Sequence, residues 1–406
     1  MAQAFAGVSV LDLTTTIAGP HCTRLLADLG AEVVKIESPE GDVMRSRPPL
    51  RNGASSYFGQ LNAGKKSVVL DLKDPRAVEA VHRLADGVDI LVENYRPGVM
   101  RRLGLDYATL GKANPRLIYC SISGYGQTGP SADTPAYAPV IHATSGYDLA
   151  HLAYQRSRSR PDYCGIYVAD VVAGTYAFAA IATALHQRQA TGEGQHLDIS
   201  MLESMLSLTL SELQTAQFEV PPPPARPIFG PVATADGYIS MAVVSERTFQ
   251  GMAAAAGRAD WITDPRYAVY IDRRANWGTL MDEFEVWSKG LSSAQCLEVL
   301  DRNSVPAAAY RTVREAMADP QLAHRRAFSE VRDAGGTFKV LNPPFRMSGS
   351  ATAAGPEAPA LGEHTREVLR ASGFAATEIE ALAASKTALD DADTEPKSVA
   401  PGLERA

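Results

Sequence analysis

Residues 7–37 read GVSVLDLTTTIAGPHCTRLLADLGAEVVKIE. Two short runs rich in valine, leucine and isoleucine, GVSVLDL (7–13) and AEVVKIE (31–37), flank HCTRLLADLG (21–30), which carries a helical pattern. Gly30 is a natural helix stop. A strand, a helix and a second strand in so short a span describe a unit in which the helix carries the chain back to start a parallel neighbour. The alternation continues outward through KSVVLDL (66–72), VDILVEN (88–94) and RLIYCSISGY (116–125), with the helical stretch DPRAVEAVHRLADG (74–87) between the first two. Asp74 followed by Pro75 is an N-cap with proline at the first helical position, and Gly87 is a second stop. The first half is therefore α/β, with a mainly parallel, Rossmann-like sheet. The turn after its first strand, TTTIAGPHC, has no G-x-G-x-x-G, so neither a nicotinamide nor a flavin is expected.

Beyond this half comes GIYVADVVAGTYAFAAIATAL (165–185), apolar and rich in small residues, with one carboxylate, Asp170, near its head. Its length would just span a bilayer, but the Ala, Gly and Thr content and the acid favour a buried core helix. A strand in TGEGQHLDIS and a helical MLESMLSLTLSELQ follow, and then EVPPPPARP (219–227) interrupts the chain. The expected division is residues 1–220, a stiff linker at 221–227, a smaller α+β domain at 228–320, a return to the large domain at 321–385 and a disordered polar tail at 386–406. The small domain is expected to open with a hairpin about Asp236-Gly237 and then a helix.

Composition sets limits on function. A chain of 406 residues with 45% hydrophobic and 21% charged residues is an ordinary globular protein. A net charge of −7 and the lack of any basic run argue against a nucleic-acid partner. The four cysteines form no C-x-x-C and suit a reducing cytoplasm, and MAQAFAGVSVLDL lacks the pattern of a signal peptide. The eight histidines form no H-x-x-x-H or H-E-x-x-H, so no metal is expected, and G-x-S-x-G and Walker A are missing.

Asp170 is the most distinctive candidate. Helical spacing puts Gly174 and Ala177 on its face, where small side chains let a substrate or another backbone approach. The helix dipole favours an ionised acid in the first turn. The residues alone leave open a helix cap, a partner for an arginine, or chemistry. Lys65, Lys66 and Lys73, with Arg96, Arg101 and Arg102, read as surface charge or as a phosphate-binding rim at one end of the sheet.

Six motifs together resemble the class III coenzyme A transferases of the formyl-CoA transferase and carnitine CoA-transferase type. They are AGP…LLADLGAEVVKIE…GD, N.GKKSVVLDLK, LVENYRPGVMRRLGL, ISGYGQTGP, VADVVAGTYA and TGEGQHLDISM, and the likeness runs nearly full length. The resemblance implies a large domain built from both ends of the chain, an inserted small domain and an interlocked homodimer. It implies that Asp170 is the nucleophile, with acyl-CoA and a carboxylic acid as substrates and no tightly bound cofactor. It carries CoA contacts onto Ile17, Ala18, Leu70, Asp71, Leu72, Lys73, Asn94, Tyr95, Arg96 and Arg102. Neither a membrane nor a nucleic acid is expected as a partner.

The sequence departs from that pattern at several places. Ile17, Ser38 and Ala138 stand where formyl-CoA transferase has glutamine, a basic residue and an acid, and RPIFGPVATADG replaces its glycine-rich lid. These differences argue against formyl-CoA and oxalate as the substrate pair. Acyl-CoA racemases share the fold, but Ala136-Tyr137-Ala138 stands where they carry their histidine and acid. The alternatives to transfer between two acids are such a racemase and intramolecular transfer on a dicarboxyl-CoA. Arg156, Arg158 and Arg160 read as a solvated loop or as partners for a second carboxylate.

Overall fold

The computed structural model describes residues 3–155, 158–218 and 229–390. It divides into two compact units, one holding the described residues up to Ser211 and from Ala323 on, the other those within Glu212–Leu322. The Pro-rich stretch at 221–227 lies outside the described residues.

The larger unit is built on a seven-stranded sheet. Its strands are β1 (Ser9–Leu13), β2 (Glu32–Glu37), β3 (Lys66–Leu70), β4 (Ile90–Glu93), β5 (Ile118–Ser123), β6 (Gln195–Ser200) and β7 (Ala388–Leu389). They lie in the order β7-β3-β2-β1-β4-β5-β6. The first six are parallel, with Val10 opposite both Val33 and Ile90. This is the doubly wound order, which reverses beside β1 and opens a crevice at the carboxyl ends of β1 and β4.

Alternation within β1 assigns the layers. Val10 faces α1 (Ala18–Asp28) and the long helix α3 (Val168–Thr191), whereas Leu11 and Leu13 face α2 (Pro75–Ala85) and the C-terminal helices. The Asp74 carboxylate caps α2 by accepting the Arg76 N–H.

Two expectations need correction. Residue 386 does not begin a disordered tail: Ala388–Leu389 pairs antiparallel with β3, and Thr387 is buried. Its backbone satisfies groups that β3 would otherwise leave open at the sheet edge. Nor is α3 buried all round. Ala169, Ala173, Ala177, Ile181 and Ala184 pack into the core, while Val171, Thr175, Tyr176, Ala179 and Thr183 are exposed. Small residues along the inner face let the helix lie close to α1, and among the described residues nothing covers the other face.

In the second unit, Val232–Ala233 and Tyr238–Met241 form the hairpin about Asp236-Gly237, with Ala307–Ala309 as a third antiparallel strand. The helix Glu246–Ala255 follows and packs on a core of Phe249, Trp261, Tyr267 and Phe284.

Candidate active site

The turn leaving β1 is held by groups buried beneath it. Asp12 accepts from the Thr14 N–H (2.9 Å), the Thr14 hydroxyl (2.5 Å) and the Thr23 hydroxyl (2.7 Å), and pairs with Lys65 at 3.0 Å. Lys65 also donates to the Pro20 carbonyl and to Asn62. Burial pushes the Asp12 carboxyl up, but Lys65, Lys35 and the two threonines outweigh it and settle it at about 2. Lys35 donates to the Thr14 carbonyl (2.6 Å) and pairs with Asp42 (3.0 Å). The next peptide is clasped from β4: the Thr15 N–H donates to Asn94 Oδ1 (2.9 Å), and Asn94 Nδ2 donates to the Thr15 carbonyl (2.8 Å). Between these anchors Thr16 is held at φ 71°, a left-handed conformation that a β-branched residue adopts only under constraint.

The turn delivers the start of α1 to the start of α3. The Ala18 backbone amide and that of Asp170 itself lie close enough to the Asp170 carboxyl to favour its ionised form. Burial nevertheless dominates and raises Asp170 to about 6. Tyr167, the residue preceding α3, provides no side-chain cap; instead the Ala169 N–H donates to Nε2 of the buried His142 (3.2 Å).

Gly174 decides how near α1 can come. A Cβ there would stand 2.4 Å from the Ala18 carbonyl oxygen and 3.1 Å from the His21 ring. Of the two uses foreseen for small residues beside Asp170, close approach of another backbone is the one Gly174 serves. Gly174→Ala is expected to push α1 away, lower stability by ~1–3 kcal/mol and detach the Ala18 N–H from Asp170. A thermal melt together with turnover measurements checks it.

Asp170 opens into a cavity of about 290 Å³ at the strand-order reversal, shared with Thr16, Ala18, Asn94, Tyr95, Arg96 and Tyr137. The Arg96 side chain is exposed and makes no hydrogen bond or ion pair among the described residues. Four of the predicted contact positions, Ala18, Asn94, Tyr95 and Arg96, therefore meet Asp170 in one cavity. The others do not line it. Ile17 is buried with Met44, Phe58 and Leu61, and Leu70 is buried in the sheet. Asp71 and Leu72 are half-buried, and Lys73 and Arg102 are exposed.

The basic rim is smaller than its sequence suggests. Lys65 is fully buried and paired, and Lys66 bridges Glu32 and Glu367. Arg158 pairs with Asp162 and Arg160 donates to the Tyr163 hydroxyl, while Arg156 lies outside the described residues. Two residues near the site were not distinguished in the sequence. Burial raises Glu93, at the end of β4, to about 7 despite hydrogen bonds from Ser121 and the Tyr95 N–H. The other is His142, which is one of eight histidines and sits in no motif. Only its position on the helix Ala138–Thr144, folded against α3, sets it apart.

The model of CoA-transferase family III matches residues 5–365. The chain is 32% identical over 381 residues to the succinate–glutarate CoA-transferase of Agrobacterium fabrum, covering 90% of this chain and 94% of that one. It is 36% identical over 354 residues to the acetyl-CoA:oxalate CoA-transferase of Acetobacter aceti, covering 85% and 89%. Among solved structures, a CAIB/BAIF family protein from Brucella suis matches with a TM-score of 0.81 and 30% identity, covering 92% of this chain and 100% of that one.

Proposed function

The chain belongs to CoA-transferase family III, and on that premise we propose that it moves CoA from an acyl-CoA donor to a dicarboxylic acid through covalent intermediates on Asp170. The observation that carries the reading is a carboxylate of raised basicity that shares a cavity with Ala18 and with an arginine that has no partner among the described residues. The acceptor class is taken from the relatives, whose names carry succinate, glutarate and oxalate, all dicarboxylic acids. One of them is named for oxalate, so oxalate is kept among the acceptors to be tested despite the departures at Ile17, Ser38 and Ala138.

The chemistry runs in four exchanges of C–S and C–O bonds. Asp170 attacks the donor thioester carbonyl, breaking its C–S bond to give a mixed anhydride and CoA thiolate. The thiolate attacks the aspartyl carbonyl, expelling the donor carboxylate and leaving an aspartyl-CoA thioester. The acceptor carboxylate attacks that thioester, forming a second anhydride and freeing the thiolate again. The thiolate then attacks the acceptor acyl carbon and releases Asp170. No proton is gained or lost, which is why a carboxylate suffices and no general base is needed. The Ala18 N–H stabilises the oxyanion that forms at the aspartyl carbonyl, and the start of α3 adds its dipole. Asn94, clasped to Thr15 at both ends of its amide, acts by holding the turn that presents Ala18. Arg96 supplies charge for a CoA phosphate or for the remote carboxylate of the acid.

The decisive experiment incubates several acyl-CoA donors with succinate, glutarate, oxalate and monocarboxylic controls, and detects new CoA esters by mass spectrometry. The reading fails if no pair exchanges CoA. Because Asp170 must be ionised to attack and titrates at about 6, kcat/KM for the donor is expected to fall as pH drops through that value and to level off above it. Initial rates across a pH series check this.

The exposed face of α3, with Val171 and Tyr176, is taken as part of a homodimer interface, interlocked as in the enzymes this chain resembles. Sedimentation equilibrium of the wild type tests it, a dimer being expected and a monomer overturning it.

A further inference from the structure

We infer that His142 is a positioning residue for the nucleophile, acting as the cap that the catalytic helix lacks in its own sequence; the inference rests on Asp170 being that nucleophile. A helix begins with N–H groups that have no partner within the helix, and a buried start must find them partners elsewhere. In the first turn of α3, Val168 donates to the Ile166 carbonyl and Val171 to the Tyr167 carbonyl. Ala169, fully buried beside Asp170, has only His142 Nε2, at 3.2 Å.

That contact demands a neutral ring with its proton on Nδ1, since a protonated Nε2 would point a second donor at the amide. The surroundings favour the neutral form. His142 is buried, its ring lies 5.9 Å from that of Tyr147, and burial lowers its pKa against the opposing charge of Asp148. The ring thus ties the helix Ala138–Thr144 to the residue next to Asp170, while the Ala18 amide lies near the carboxylate. The backbone immediately before Asp170 is fixed from a separate element, and His142 makes that hydrogen bond.

The test compares His142→Leu, which fills the space without an acceptor, with His142→Gln, whose side-chain oxygen can accept in place of Nε2. The leucine variant is expected to lose ~10- to 100-fold in kcat, as expected of a reacting group displaced by about 1 Å, with KM for the acyl-CoA little changed. The glutamine variant is expected to recover most of the lost rate. Hydrogen exchange of the peptide spanning residues 167–175 supplies a readout that needs no turnover. Its protection is expected to drop in the leucine variant and return in the glutamine variant. If the wild type transfers no CoA, the functional reading fails while the exchange result still reports on the cap. If the leucine variant matches the wild type in exchange, or the glutamine variant is as impaired as the leucine one, the assignment of His142 is overturned.

Discussion

Asp170→Ala is expected to reduce CoA transfer by about 10⁴-fold or more, the scale seen when a covalent nucleophile is removed. Asp170→Asn is expected to do the same. The amide keeps the shape of the carboxylate and can still accept from the Ala18 N–H, but it has no anionic oxygen to form the anhydride. The pair therefore separates loss of chemistry from loss of structure. Donor binding is expected to survive in both, because the cavity walls from Asn94 to Arg96 are untouched. Hydroxylamine added during turnover is expected to convert the wild-type aspartyl thioester to a hydroxamate at Asp170, and to leave no such mark on either variant. Retention of full transfer by Asp170→Ala, with the protein verified by mass, would remove the mechanism altogether.

Lys65→Met is expected to be the most destabilising change outside the nucleophile's own surroundings, by ~3–5 kcal/mol, the range for stripping one partner from a buried ion pair. Lys65 and Asp12 have no side-chain exposure, and Lys65 also binds Thr23, Asn62 and the Pro20 carbonyl. The methionine fills similar space but leaves Asp12 with one fewer cation. The pH dependence supplies an internal control. Asp12 titrates at about 2 in the folded protein against an ordinary 3.8. A carboxyl whose folded pKa is depressed contributes stability above its unfolded pKa and loses it as pH falls through the folded one. In the variant that depression is relieved, so the gap to wild type is expected to be widest at neutral pH and to narrow on acidification below about 4. Urea unfolding at a series of pH values measures both. A full-sized gap that persists at low pH would mean that packing, rather than charge, carries the loss. Turnover is expected to suffer as well, because Asp12 holds Thr14 and thereby the turn leading to Ala18.

These two predictions differ in what the sequence discloses about them. Asp170 as a candidate nucleophile is readable from VADVVAG and its companion motifs, and its approximate setting from its place at the head of an apolar stretch. The role of Lys65 is not readable. In GKKSVVLDL it stands beside Lys66, and nothing in a run of two lysines says that one is sealed beneath the sheet's carboxyl end while the other bridges surface acids. Side-chain direction reverses at each residue of a strand, so a single step separates interior from solvent. Asn94 and Arg96 show the same divide. Both sit in VENYRPG, but the Asn94 amide is consumed by the Thr15 backbone, whereas Arg96 lines the cavity with no partner among the described residues.

Local pattern alone determined the strand–helix alternation, the parallel sheet, the hairpin about Asp236-Gly237 and the acid at the head of α3, because each depends on residues only a few positions apart. Tertiary structure alone decided that Ala18 meets Asp170, that Gly174 admits the α1 backbone, that His142 caps α3 and that residues 388–389 close the sheet edge. Each of these joins segments far apart in the chain. Their contacts depend on strand order and on distances of a few tenths of an ångström, neither of which leaves a periodic mark in a sequence.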